Sequence, residues 1–147
     1  MPKTVFTIGY EGLDPERLRD AQTGAGVARL ADVRAVANSR KRGFSKGALG
    51  RFLVESGLAY DHLRALGTPK SGRQAARAKD SALMRRIYCE EVLDTADGGL
   101  ALDALVVLAG DAPTCLLCFE RDPRLCHRRV LTERLAERGF AVTDLFG

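Results

Sequence analysis

The chain has 147 residues, 46% of them hydrophobic and 29% charged, which suits one domain with one core and excludes wholesale disorder. No apolar run approaches the ~20 residues of a membrane helix, and no basic segment followed by an apolar stretch opens the sequence, so a cytoplasmic protein with no membrane partner is expected. The formal net charge is +4, but residues 34–86 carry thirteen Lys and Arg against three acidic residues, a polarity that points to an anionic partner or to a solvated basic face.

Thr4 to Ile8 is β-branched and aromatic and reads as a strand, with Gly9-Tyr10-Glu11-Gly12 turning at its end. Tyr10 and Glu11 are placed at the mouth of a site. Asp14 and Pro15 then open a short helix running to about Gln22, an acceptor at the N-cap followed by a proline whose missing N–H costs little there. Arg29 to Val33 is a second strand. Asp32 and Arg34 share one face at its carboxyl end, where they form an ion pair or present both signs to a substrate. In the polar loop that follows, Ser39 and Arg40 suit phosphate or carboxylate, and Ser45 reads as the N-cap of a helix that carries Leu49, Phe52 and Leu53 inward.

Leu58 to Leu63 is a third strand with His62 near its carboxyl end. Gly67 to Lys79 is polar, basic and short of large apolar residues, so a mobile loop or lid is expected. Ser81 to Leu93 spaces Met84, Ile87, Tyr88 and Val92 as an amphipathic helix, and Asp97-Gly98-Gly99 reads as a break before a helix over Leu100 to Leu108. Thr114 to Phe119 is a buried strand. Asp122 and Pro123 repeat the helix-opening device for a helix reaching about Glu137, and Phe140 to Leu145 is a fifth strand.

Residues 115–129 gather three of the four cysteines and one of the two histidines, which makes this stretch the chemical centre of the chain. Cys118 and Glu120 fall on one strand face. Cys115 falls on the other, so Cys115 and Cys118 do not form a chelating pair. Cys126, His127 and Arg128 lie near a helix N-terminus, whose N–H groups favour anions and lower a thiol's pKa. In an intracellular protein these thiols are expected reduced, and each is also readable as a small buried hydrophobe.

The pattern Cys118-x-Glu-x-Asp-Pro-x-x-Cys-His-Arg128 resembles the family catalogued as domain of unknown function 488. The likeness extends to Thr7-Ile-Gly-Tyr-Glu-Gly12, Asp32-Val-Arg34, Ser39-Arg40 with Phe44-Ser-Lys46, and Tyr60-Asp-His-Leu63 with Leu66-Gly67. It spans nearly the whole chain. One departure is visible: where the family has an aromatic and a proline between its Asp-Val-Arg and Ser-Arg elements, this chain has Ala35-Val-Ala-Asn38.

Strands alternating with helices imply a single Rossmann-like α/β domain, a mostly parallel five-stranded sheet covered on both faces. The leading functional reading is an enzyme acting on a phosphate-containing substrate, a nucleotide or nucleic acid. Arg34, Arg40 and Arg128 hold the anion, Glu120 or His62 exchanges protons, and Cys126 is the nucleophile. His62 is the preferred partner of Cys126, because consecutive helical residues such as Cys126 and His127 diverge by about 100°. Two readings stand beside it: a zinc or iron site built from Cys118, Cys126 and His127, and a non-catalytic nucleic-acid-binding module.

Overall fold

The computed structural model describes residues 3–147 and begins with strand β1 (Lys3–Gly9). Helix α1 (Pro15–Gly24) follows, with the Asp14 carboxylate accepting the Arg17 N–H at 2.8 Å. β2 (Arg29–Asp32), α2 (Lys46–Glu55) and β3 (Ala59–His62) repeat the strand-helix alternation. A 3-10 turn at Arg64–Leu66 leads to α3 (Lys70–Arg77) and α4 (Ser81–Tyr88), which runs on into a π-helical turn at Cys89–Leu93. α5 (Ala96–Asp111), β4 (Thr114–Cys118), α6 (His127–Glu137) and β5 (Phe140–Leu145) complete the chain.

The strands form one sheet in the order β3-β2-β4-β1-β5, and every described pair is parallel. Alternation sorts the side chains of β4 to opposite layers. Cys115 and Leu117 pack with Leu18, Leu49 and Leu53 of α1 and α2, while Leu116 packs with Tyr88, Leu105 and Leu131 of α4, α5 and α6. A right-handed crossover sends helices to one face when the chain moves one way along the sheet and to the other face when it moves back. β1, β2 and β3 progress toward one edge, and β4 and β5 return. The reversal leaves β4 between β1 and β2, with its following loop leading to the opposite helix layer, and such a switch point opens a crevice at the carboxyl ends of the strands.

Three expectations need correction. The basic segment Gly67 to Lys79 contains the helix α3 over Lys70–Arg77, because Gly72, Ala75 and Ala76 form a narrow buried stripe, with Ala75 and Ala76 packed on Met84 of α4. Small residues at that spacing carry little hydrophobic signal in a sequence. Asp97-Gly98-Gly99 does not break the chain: it lies in the first turn of α5, where Thr95 caps the Gly98 N–H and a Cβ at Gly98 would stand 1.7 Å from the Val92 carbonyl oxygen. Asp122 and Pro123 open only a 3-10 turn, Pro123–Leu125, and the true N-cap of α6 is Cys126.

Candidate functional site

At the carboxyl rim of the sheet lies a cleft of about 530 Å³ whose lining includes Tyr10 and Glu11 after β1, Arg34 after β2, Cys118 at the end of β4 and Glu120 in the loop that follows it. His127 at the start of α6 borders it, and α3 closes one side with Arg73, Ala76 and Arg77, followed by Lys79. Backbone contacts lock the strand ends together. The Tyr10 and Glu11 N–H groups donate to the Cys118 and Phe119 carbonyls at 3.1 and 2.8 Å, and a Cβ on Gly9 would stand 1.8 Å from the Glu120 carbonyl oxygen. Gly9 is therefore required for β1 to approach the Glu120 loop, and Gly67 has the same role against Ala35, whose nitrogen a Cβ would approach to 2.2 Å.

Asp32 is fully buried and grips Arg34 through three hydrogen bonds, from Nε to Oδ1 at 2.8 Å, from Nη2 to Oδ2 at 2.7 Å and from the backbone N–H to Oδ1 at 3.1 Å. Tyr60 donates to the same carboxylate at 2.5 Å, and Arg34 Nη1 donates to the Phe44 carbonyl at 2.7 Å. Burial is the largest influence on Arg34 and works against its charge, but the hydrogen bonds and charge of Asp32, with Tyr10 beside it, together outweigh burial and hold the pKa above the ordinary value. Asp32 is thus the fixed counter-ion of the site. The Arg34 guanidinium lies over the Tyr10 ring, which stacks on Phe44 and meets Phe119 edge-on.

Around the sulfurs the geometry departs from expectation in three ways. The Sγ atoms of Cys118 and Cys126 are 2.06 Å apart, a disulfide in place of two free thiols. Cys126 is 1% exposed and absent from the cleft wall, so a role as free nucleophile is not carried forward. Cys126 and His127 do meet, Sγ to Nδ1 at 3.7 Å, because Cys126 is an extended N-cap (φ −129°, ψ 146°) and not a helical neighbour of His127. His62, the expected partner, is turned to the Arg34 carbonyl at 2.7 Å and does not line the cleft.

His127 Nε2 lies 2.8 Å from the Val33 carbonyl oxygen, which can only accept. Nε2 therefore carries the proton, and Nδ1 presents its lone pair to Cys126. Burial, with the Val33 contact opposing it, lowers the His127 pKa to about 4, so the ring is neutral at pH 7. Arg128, expected to hold a substrate anion, is fully buried: it donates to Thr7 Oγ1 (3.2 Å), Cys118 Sγ (2.8 Å), and the carbonyls of Glu120 (2.5 Å) and Arg121 (3.1 Å). It shapes the Glu120 loop from behind. Ser39 accepts from the Tyr10 hydroxyl at 3.3 Å and from the Lys41 N–H at 3.1 Å, and neither it nor the exposed Arg40 borders the cleft.

Two features escaped the sequence. Arg73, Arg77 and Lys79 supply cations where a loose loop was expected, and Thr68, buried at 4% exposure, lines the cleft with an Oγ1 that has no hydrogen-bond partner among the described residues. The Pro69-to-Lys79 spacing of good helix formers was the available sign of the helix. Glu120 stands between these cations and the sulfurs, its Oε2 3.7 Å from Cys118 Sγ, and burial raises its pKa.

A reversal of strand order with a charged crevice above it defines a doubly wound α/β protein with a cleft at its carboxyl rim. A family model described as a domain of unknown function, DUF488, matches residues 14–135, and the chain belongs to that family. No curated protein and no solved structure matches it. Among the described residues, no helix is long and apolar enough to cross a membrane.

Proposed function

We propose that the protein is an enzyme whose rim cleft binds a small phosphate-bearing substrate, with Glu120 exchanging a proton with it. The observation that carries this reading is the unequal lining of the cleft: Arg34, Arg73, Arg77 and Lys79 against Glu11 and Glu120. Arg77 and Lys79 form no ion pair with a carboxylate among the described residues, so their charge is available to a ligand. The unpartnered Thr68 hydroxyl adds a polar group for an anion's oxygen. A cleft of about 530 Å³ matches a mononucleotide-sized molecule better than an extended nucleic acid backbone.

Isothermal calorimetry against nucleoside monophosphates and simple phosphomonoesters tests the reading, with the unphosphorylated alcohols as controls. Only the phosphorylated member of a pair should bind, and Arg77→Ala should weaken it about tenfold, the scale of one partly desolvated charge-assisted contact. Equal binding of both members, or binding to neither, contradicts it. Tight binding to single-stranded DNA, falling steeply with salt, would favour the nucleic-acid module instead.

A further inference from the structure

We propose that, once the Cys118–Cys126 bond is reduced, Cys118, Cys126 and His127 hold a zinc-class divalent cation whose fourth coordination position opens on the cleft. The three ligand atoms all lie within 4.8 Å of one another. Tetrahedral zinc with bonds of about 2.3 Å to sulfur and 2.0–2.1 Å to nitrogen separates its ligand atoms by roughly 3.5–3.8 Å, so small side-chain adjustments suffice. Two thiolates and one imidazole form a donor set that favours zinc over oxygen-seeking cations.

The surroundings are those of a metal ligand set. His127 Nε2–H donates to the Val33 carbonyl, which aims Nδ1 at the sulfurs in the way metal-bound histidines are aimed by an acceptor behind them. Each sulfur also meets an N–H donor: Arg128 Nη1 lies 2.8 Å from Cys118, and the Arg128 backbone N lies 3.4 Å from Cys126 at the N-terminus of the eleven-residue α6. Such donors stabilise thiolates. The Cα atoms of the two cysteines stand 7.3 Å apart, wider than the usual disulfide span of about 4.4–6.8 Å and comfortable for two sulfurs on one ion.

A thiol reductant supplies the two electrons and two protons that convert the disulfide to two thiols, and both protons leave when the cation binds. Since Cys118 and His127 border the cleft and Cys126 lies behind them, the open position faces the ligand space beside Glu120. Three protein ligands with one open position is the arrangement of catalytic rather than structural zinc. The site rests on these contacts alone and does not depend on the phosphate reading.

Cobalt(II) titration of the full chain tests it, using protein purified without an affinity tag, reduced with a phosphine, stripped with a chelator and verified by thiol counting. The expected result is 1:1 binding with thiolate-to-cobalt charge transfer and the visible bands of a tetrahedral ion. Cys118→Ser and Cys126→Ser should each lower the charge-transfer intensity by about half or more, since each removes one of two thiolates. Cys89→Ser, at a cysteine outside the trio, should leave it unchanged. No charge-transfer band in fully reduced wild-type protein, or a band indifferent to Cys118→Ser and Cys126→Ser, overturns the proposal. Because the titration contains no phosphate ligand, either result leaves the calorimetric test of the cleft unaffected.

Discussion

Asp32 shows what a single side chain contributes to this site. It is fully buried and spends its two oxygens on Arg34 and Tyr60. Asp32→Ala leaves the Arg34 guanidinium buried without its counter-ion, and the expected loss is about 3–5 kcal/mol of folding stability, read from urea denaturation. Tyr60→Phe removes one hydrogen bond and should cost about 1 kcal/mol. A loss of less than about 1 kcal/mol in Asp32→Ala would mean that the pair is solvated. The pairing of Asp32 with Arg34 was legible because strand side chains repeat every two residues. The Tyr60 and Phe44 contacts were not, since they depend on which strand and loop lie alongside.

At the scale of elements, α3 and α6 carry the site, and both were misread in the sequence for local reasons. The buried face of α3 is Gly72, Ala75 and Ala76, small enough to resemble loop composition, yet a Cβ at Gly72 would come within 2.2 Å of Thr68 Oγ1. Gly72→Val should therefore push α3 off the cleft wall, costing about 1–3 kcal/mol and weakening phosphate ligands along with stability. Gly24→Ala is the control, because open space surrounds that position. Unchanged stability and binding in Gly72→Val would contradict the docked helix. For α6, proline chemistry suggested a start at Pro123, but the chain makes one 3-10 turn first and leaves Cys126 extended. That single offset brings Cys126 and His127 together, which an unbroken helix would have kept apart.

At the scale of the whole molecule, the strand count, the parallel sheet and its two helix layers followed from alternating strand and helix patterns, and the rim followed from the direction of the strands. What convergence would assemble there was only partly legible: Tyr10, Glu11, Arg34, Glu120, Cys118 and His127 meet, while Ser39, His62 and Arg128 bond to the scaffold around them and Arg40 is exposed away from the cleft. Burial also sets how the fold responds to alkali. Burial and the Asp32 carboxylate raise the pKa of Tyr60 above that of an ordinary tyrosine, and burial raises that of Cys115 above that of an ordinary thiol. Both groups keep their protons in the folded state at a pH where the unfolded chain releases them. Their contribution is complete below about pH 8 and declines as pH rises, first through the thiol and then through the phenol. Tyr60→Phe should flatten part of the alkaline loss in denaturation midpoints measured between neutrality and pH ~11. A midpoint falling just as steeply in the variant would remove Tyr60 from that account. The central claim, that strand ends and α3 together form a phosphate-binding cleft, is tested most directly by nitrogen-15 NMR during titration with a nucleoside monophosphate. Amide shifts should concentrate at Tyr10, Glu11, Arg34, Ala35, Thr68 and α3, whereas shifts scattered over the surface or centred on α5 would contradict it.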